Sequence, residues 1–430
     1  MTLVDSNLLN DLRARGLVNQ IAGEELEQHL EQPRTLYCGF DPTADSLHIG
    51  SLVPLLTLKR FQMAGHKPIV LVGGATGLIG DPSFKLEERK LNTPEIVNAW
   101  VNKLCTQVSR FVTFDAAANT AETVNNLDWI GSMNVLDFLR DVGKHFSVNA
   151  MIHKESVKQR LEREGAGISF TEFTYMLLQS YDFAELNKRY SCTVQIGGSD
   201  QWGNITGGID LTRRLNHQHV YGLTLPLVTK ADGTKFGKTE AGTVWLNSQK
   251  TSAYAFYQFW INTADADVYK FLNYFTFLPV ARIKQIENDD AAVQGRKSAQ
   301  GILAAEVTQL VHGEAGLLAA QRISQALFSD DYSTLDVDDF EQLAMDGLPS
   351  LQVSSWDKTI VDILVESTLA RGNKQAREFI SNAAVSVNGE PCRQTGETDS
   401  PLRQFKAAHG KYLIIRRGKK NFCLVILKAH

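Results

Sequence analysis

No stretch of the 430-residue chain comes near the roughly 18 consecutive apolar residues that a membrane-crossing helix needs. Cysteine is scarce as well. The five present (Cys38, Cys105, Cys192, Cys392 and Cys423) are scattered, odd in number and never in a C-x-x-C pair. That argues against a disulfide scaffold and against a structural metal such as zinc, and for a reducing cytoplasmic setting. The first twenty residues, MTLVDSNLLNDLRARGLVNQ, break every apolar run with acids or arginines, so no secretory signal is expected. There is no internal repeat. What remains is an ordinary globular composition, 43% hydrophobic and 21% charged, in a chain long enough for two or three domains.

The net charge of −4 conceals an uneven distribution. From Trp356 to His430 there are 13 Lys or Arg against 7 Asp or Glu, whereas the rest of the chain carries 31 bases and 41 acids. A basic tail on an acidic body fits two readings, a surface that meets a polyanion or a solvated basic face. Charge alone does not choose between them.

The run Leu36-Tyr37-Cys38-Gly39-Phe40 reads as a strand, followed by a helix from about Leu47 to Ala64 that stops at Gly65. Pro68 to Val72 reads as a buried strand entering Gly73-Gly74, and Cys192 to Ile196 as another entering Gly197-Gly198, with a helix through Arg214. Strands that end in glycine turns and alternate with helices predict an α/β fold with a Rossmann-like, doubly wound parallel sheet. Ligands of such sheets sit beyond the carboxyl ends of the strands. Tyr37 to Asp41, Gly73 to Asp81 and Gly197 to Gln201 fall at such ends. From about Thr251 to Phe328 the pattern is helical, with Phe256, Phe259, Trp260, Tyr269, Phe271 and Phe275 expected as core. An acidic, interrupted stretch follows and reads as a linker. Beyond it, Ile360 to Ile380 indicates two short helices and Val385 to Gly389 a hairpin turn at Asn388-Gly389. The expected layout is a catalytic domain over 1–228, a loop and helical domain over 229–330, a linker over 331–355 and a small α+β domain over 356–430.

Two separated elements carry phosphate chemistry. Asp45 or Ser46 can cap a helix whose first turn holds His48 and Gly50. The free N–H groups of such an end attract anions, and glycine lets a ligand approach the backbone. The positive helix end disfavours imidazolium, so His48 is expected to be a neutral hydrogen-bond donor. The second element, Lys235-Phe236-Gly237-Lys238-Thr239, follows a strand-like Leu223 to Val228 and the turn Lys230 to Gly233. Its spacing from Gly233 misses the nucleotide P-loop by one residue and no good helix follows, which leaves a P-loop kinase poorly supported. Two mobile lysines suit another task, meeting charge that builds on an α-phosphate only as it is displaced.

Other residues point to a polar pocket. The run Gly73-Gly-Ala-Thr-Gly77-Leu-Ile-Gly80-Asp81 is too glycine-rich for ordinary packing, and Lys85 and Arg89 could project cations together from a following helical turn. Tyr175, Gln179 and Asp182 lie at i, i+4 and i+7, on one helix face. Buried there, a phenol, an amide and a carboxylate need a polar ligand, since each would cost about 1–3 kcal/mol unpaired.

Taken together these residues resemble the bacterial tyrosyl-tRNA synthetases of the class I group, and the likeness covers nearly the whole chain. His48-Ile-Gly-Ser51 matches that family's HIGH element, and Lys235 to Thr239 its KMSKS-type loop in the KFGKT form. The runs Tyr37-x-Gly39-x-Asp41-x-Thr43, Gly80-Asp81-Pro82-Ser83, Tyr175-x-x-x-Gln179-x-x-Asp182 and Gly197 to Asn204 match its pocket motifs. The tail, with Arg371-Gly-Asn-Lys374-Gln-Ala-Arg377 and Val387-Asn-Gly389, resembles an S4-type RNA-binding module. One departure stands out: the HIGH element here ends in Ser51, whose hydroxyl reaches less far than a histidine.

The resemblance implies tyrosine–tRNA ligase activity. Tyr37 and Asp182 would hold the substrate phenol, and Asp81, Tyr175 and Gln179 its ammonium. Gln201 would position tyrosine, and Asp41 and Asp200 the nucleotide. Gly39, Thr43, His48, Gly50, Ser51, Lys235 and Lys238 would bind ATP, with His48, Lys85, Arg89, Lys235, Lys238 and Thr239 serving its transition state. Lys154, Arg213 and Arg214 would meet the tRNA acceptor arm, and Arg371, Lys374 and Arg377 of the tail the tRNA elsewhere. ATP enters as a substrate with Mg²⁺ on its phosphates, and a homodimer is implied, with its contact sought in Phe138 to Arg160. The rivals are a tryptophanyl-tRNA synthetase, a small-molecule nucleotidyltransferase and a non-catalytic RNA-binding protein. The Tyr37/Asp182 pair, the basic tail and the two loop lysines weigh against them in turn.

Overall fold

The structure is a computed structural model that describes residues 5, 7–81, 91–115, 118–154, 157–158, 161–162, 167–234, 236–239, 242–295, 297–392 and 401–428, with 238 and 239 by backbone only. The chain forms two compact units, Met1–Asn247 with Ala264–Ala299, and Ser248–Thr263 with Gln300–His430.

Among the described residues the first unit holds a six-stranded sheet in the order β1-β6-β5-β2-β3-β4. Its strands are β1 (Gln20–Ala22), β2 (Thr35–Phe40), β3 (Lys67–Val72), β4 (Glu122–Asn125), β5 (Cys192–Gly198) and β6 (Tyr221–Leu225). All neighbours run parallel except β1, which pairs antiparallel with β6. The central strands are apolar and buried along their length, as a parallel sheet covered on both faces requires. From β2 the chain winds outward through β3 to β4, then returns to the other side of β2 as β5 and β6. The order therefore reverses between β2 and β5, which opens a crevice at their carboxyl ends. The expected doubly wound sheet is present, and β5 runs on through both Gly197 and Gly198.

The helix Asp265–Phe275 belongs to this first unit, although the sequence assigns it to a separate helical domain. Arginines explain the difference. Arg60 Nη2 donates to the Thr276 carbonyl at 2.6 Å, and Arg15 Nη2 to the Leu278 carbonyl at 2.8 Å. Carbonyls left unpaired at a helix end thus find cationic donors on other elements of the unit.

His66, just before β3, is fully buried, and its Nδ1 accepts the Arg34 N–H at 3.2 Å. Burial, aided by the cations of Arg34 and His29, lowers its pKa from 6.5 to about 4. The unfolded chain binds this proton near pH 6.5 and the folded chain only near pH 4. The site's stability is thus fully present above pH 6.5 and lost as pH falls toward 4, by about 3 kcal/mol at most. Urea midpoints should decline between about pH 6.5 and 4.5, and less so in His66→Gln. An equal decline in both proteins would contradict this account.

In the second unit, β9 (Ser350–Val353), β10 (Val385–Val387), β11 (Glu390–Pro391), β12 (Tyr412–Arg417) and β13 (Asn421–Leu427) form a sheet in the order β11-β10-β12-β13-β9. Alternating residues of β12 serve two cores. Leu413 and Ile415 pack with the helices Ile360–Glu366 and Asn373–Ser381, while Tyr412 and Ile414 pack with Tyr254, Ile323 and Phe340. The hairpin expected at Asn388-Gly389 is formed, both residues having positive φ (47° and 86°).

The acidic stretch 331–355, read as a linker, is folded. It holds the helix Val337–Gln342 and β9, and Phe340 and Leu343 lie fully buried. Its acids have structural partners. Asp336 and Asp339 form a capping box, and Arg322 binds both carboxylates.

Candidate active site

The crevice between β2 and β5 opens into a cavity of about 600 Å³. Its wall includes Tyr37, Gly39, Asp41, Thr43, His48, Gly50, Ser51, Asp81, Tyr175, Gln179, Asp182, Asp200 and Gln201. Residues spread over 165 positions of sequence thus face one space. Lys85, Arg89 and Lys235 lie outside the described residues, and Lys238 and Thr239 are described by backbone only.

One end is deep and buried. Tyr37 comes from β2 and Asp182 from the helix Phe170–Tyr190; they are 1% and 2% exposed. Asp182 Oδ2 accepts Asn126 Nδ2 at 3.0 Å, and Oδ1 accepts the Trp129 indole Nε1 at 2.8 Å. Burial raises the Asp182 pKa to about 8, against the pull of those two donors. The Tyr37 hydroxyl has no hydrogen-bond partner among the described residues, and burial holds its pKa well above the usual phenol range. A buried donor left unpaired beside a desolvated carboxyl is a binding feature for a polar ligand group.

Nearer the middle, hydroxyls grip Asp41 on both oxygens. Tyr175 Oη donates to Oδ2 at 2.7 Å and Thr76 Oγ1 to Oδ1 at 2.7 Å. With its proton committed to Asp41, the Tyr175 oxygen presents lone pairs suited to a cation. Gln201 Nε2 donates to Asp81 at 2.8 Å and to Asp200 at 3.1 Å, while Asn204 Nδ2 donates to Gln179 at 3.0 Å and to Gln201 at 3.1 Å. The carboxylates and amides are therefore ordered before any ligand arrives. Burial raises the pKa of Asp200. Gly73 explains part of the glycine richness, since a Cβ there would collide with the Asp41 carboxylate and the Thr76 hydroxyl.

At the other end, the helix begins differently from expectation. His48 itself is the cap: its backbone is extended and its Nδ1 accepts the Gly50 N–H at 3.0 Å. Asp45 pairs instead with Lys103, and Ser46 Oγ donates to the Leu47 carbonyl. Because Nδ1 is an acceptor, a neutral ring carries its proton on Nε2, which leaves the donor expected of His48. Ser51 follows in the 3₁₀ turn Ile49–Ser51 that leads into the helix Leu52–Met63.

The two phosphate elements are joined by backbone hydrogen bonds. Val244 N–H donates to the Gly237 carbonyl at 3.0 Å, and Ile49 N–H donates to the Val244 carbonyl at 2.9 Å. Gly237 has φ of +78°, and a Cβ there would sit 2.5 Å from Ile49 Cγ2. Phe236 stacks on Phe275 and meets Phe271 edge-on, with centroids 5.3 and 5.1 Å away. Part of the expected aromatic core is thus the seat of the lysine loop. Lys238–Thr239 forms a two-residue strand, β7, paired with β8 (Gly242–Thr243), where a P-loop would begin a helix.

The three residues assigned to an acceptor arm lie outside the cavity wall. Arg213 and Arg214 both bind Asp210 at 2.7 Å. Lys154 Nζ donates to the Gly203 carbonyl at 2.6 Å, and burial lowers its pKa to about 8. In the second unit Arg371, Lys374 and Arg377 are all exposed at the start of the helix Asn373–Ser381.

Sequence reasoning missed Asn126 and Trp129, and it named Thr76 and Asn204 only within longer motifs, without a role. A signal existed for Asn126, which directly follows β4 and so obeys the same strand-end rule that singled out Asp41.

Comparison with known proteins gives the family. Residues 29–329 match the family described as tRNA synthetases class I (W and Y), and residues 339–425 the tyrosine–tRNA ligase SYY-like C-terminal domain. The chain is 67% identical to a tyrosine–tRNA ligase of Aliivibrio fischeri, over 98% of this chain and 99% of that one. It is 59% identical to that of Dechloromonas aromatica with the same coverage. Among solved structures, a C-terminally truncated mitochondrial tyrosyl-tRNA synthetase of Aspergillus nidulans superposes with a TM-score of 0.67 at 30% identity, covering 75% of this chain and 94% of that one. A tryptophanyl-tRNA synthetase of Encephalitozoon cuniculi, at 12% identity and a TM-score of 0.51 over 78% of this chain and 90% of that one, shares the fold. On matches spanning nearly its whole length, the chain belongs to the class I tRNA synthetases for tryptophan and tyrosine and, among these, to the tyrosine–tRNA ligases.

Proposed function

We propose that the chain charges tRNA(Tyr) in two steps within this one cavity. Tyrosine carboxylate attacks the α-phosphorus of ATP, giving tyrosyl-adenylate and releasing pyrophosphate with its Mg²⁺. A hydroxyl of the terminal adenosine of the tRNA then takes the acyl group and releases AMP. No protein nucleophile is required, because positioning and charge stabilisation lower the barrier. The observation that carries this reading is the buried Tyr37 hydroxyl beside Asp182, a donor and an acceptor at the closed end of the cavity.

In this reading the substrate phenol lies between Tyr37 and Asp182, and its ammonium meets Asp81, Tyr175, Gln179 and Gln201. Gly39, Asp41, Thr43 and Asp200 hold the nucleotide. The phosphates lie over His48, Gly50 and Ser51, where the His48 ring and the Ser51 hydroxyl can reach them, the N–H groups of Ile49, Gly50 and Ser51 being bonded within the protein. Lys85, Arg89, Lys235, Lys238 and Thr239 complete the charge stabilisation. Lys154, Arg213 and Arg214 serve the acceptor arm, the last two by exchanging Asp210 for phosphate.

Pairing of two copies is supported by exposed apolar side chains in one stretch, Val135, Leu136, Leu139, Val148 and Ile152. Sedimentation that gave only a monomer mass at micromolar concentration would contradict it. No helix of the described residues is long and apolar enough to cross a membrane, and we assign the enzyme to the cytoplasm, where its tRNA is found.

The tail's share is testable by charge reversal of Arg371, Lys374 and Arg377 to glutamate together. Tyrosine-dependent pyrophosphate exchange should be unchanged, while the KM for tRNA should rise roughly tenfold or more and its logarithmic salt slope flatten by about 2–3. Normal tRNA charging in that variant would remove these residues from the tRNA surface.

A further inference from the structure

Behind the phenol end lies a second layer of polar side chains that does not line the cavity. Trp129, whose indole N–H holds Asp182, is 3% exposed. The guanidinium carbon of Arg189 lies 5.4 Å from the centroid of the Trp129 ring. Arg189 Nε also donates to Glu185 Oε2 at 2.6 Å, and Glu185 Oε1 accepts the Tyr181 hydroxyl at 2.9 Å. Tyr181, Asp182, Glu185 and Arg189 all belong to the helix Phe170–Tyr190, so Glu185 follows Asp182 by one helical turn. Glu185 is 7% exposed, and its charge acts against ionisation of Asp182.

Arg189 is therefore the one cation that both covers Trp129 and neutralises Glu185 among the described residues. Its side chain is 45% exposed. Glu185 is buried, so loss of the guanidinium would leave its carboxylate unneutralised one helical turn from Asp182. A guanidinium over an indole face fixes the plane of the ring, and that plane aims the N–H at Asp182. A neutralised Glu185 also lets Asp182 accept a hydrogen bond more readily.

We propose that Arg189 is a positioning residue for tyrosine recognition, acting on Asp182 through Trp129 and Glu185 without touching the substrate. The proposal rests on the reading of Asp182 as the phenol acceptor.

The test is tyrosine-dependent pyrophosphate exchange by the full-length chain carrying R189A, R189M, R189K or D182A. In R189A and R189M the KM for tyrosine should rise roughly 5- to 20-fold with kcat within about twofold, and selectivity over phenylalanine should fall by a similar factor. R189K keeps a cation on the ring and beside Glu185, and should stay within about threefold of the parent. Adding E185Q to R189A should recover part of the lost affinity. An unchanged KM in R189A, or an equal rise in R189K, overturns the proposal while D182A remains impaired. Parental tyrosine affinity in D182A would instead overturn the pocket reading itself, and the proposal with it.

Discussion

Replacing Lys235 or Lys238 by alanine is expected to lower the rate of tyrosyl-adenylate formation roughly 10²-fold or more, with the KM for tyrosine little changed. The reason is the separation of tasks along the cavity. In the proposed reading tyrosine is held by Tyr37 and by groups on the helix Phe170–Tyr190, whose hydrogen bonds to Asp41 and Trp129 do not involve the loop. The lysines flank Phe236-Gly237, a pair seated on Phe271 and Phe275 and tied through Val244 to Ile49, next to His48. They can therefore meet charge that appears on the phosphates during displacement and do little for the ground state. Rapid-quench measurement of the adenylate burst decides the matter. A burst of parental rate in either variant would remove that lysine from the transition state.

The second large effect concerns selectivity. Asp182→Ala would remove the acceptor proposed for the substrate phenol O–H and leave Trp129 Nε1 without its partner, while Asn126 Nδ2 keeps its bond to Thr76 Oγ1 at 3.0 Å. With the substrate phenol and the Trp129 indole unpaired at about 1–3 kcal/mol each, tyrosine kcat/KM should fall by roughly 10²-fold or more. Phenylalanine, which offers nothing to these groups in either protein, should be affected far less. Enzymes of this type reject phenylalanine by about 10⁵ without editing, a value that belongs to the type and does not follow from this site's geometry. That margin should collapse in Asp182→Ala. Steady-state kinetics with both amino acids would show it, and a preserved ratio would mean that selectivity arises elsewhere.

Much of this site was legible in the sequence for a simple reason. β2, β3 and β5 are largely buried runs with glycine at or beside their carboxyl ends (Gly39, Gly73, and Gly197-Gly198), so both the strands and their ligand-bearing ends declare themselves. β4 does not. Glu122-Thr-Val-Asn125 is short and mostly polar, and its place at the sheet edge, where among the described residues it pairs only with β3, makes no demand for an apolar run. With the strand unread, the strand-end signal for Asn126 went unused, and nothing else pointed to Trp129. The cap of the His48 helix was misread because Asp45 and Ser46 are good caps by type, while the chain uses a histidine nitrogen for the purpose. The acidic stretch after residue 330 misled in the opposite sense. Its carboxylates serve as caps and as partners of Arg322, and they mask the buried anchors Tyr332, Leu335 and Phe340. Domain limits were hidden too, since carbonyls bound by Arg15 and Arg60 leave no local trace.

A crystal structure with tyrosine and a nonhydrolysable ATP analogue tests the central claim most directly. The account predicts the phenol oxygen within hydrogen-bonding distance of Tyr37 and Asp182, the ammonium against Asp81 and Tyr175, and the triphosphate over Gly50 with the lysine loop closed upon it. A phenol ring turned away from Asp182, or phosphates bound far from His48, would contradict it.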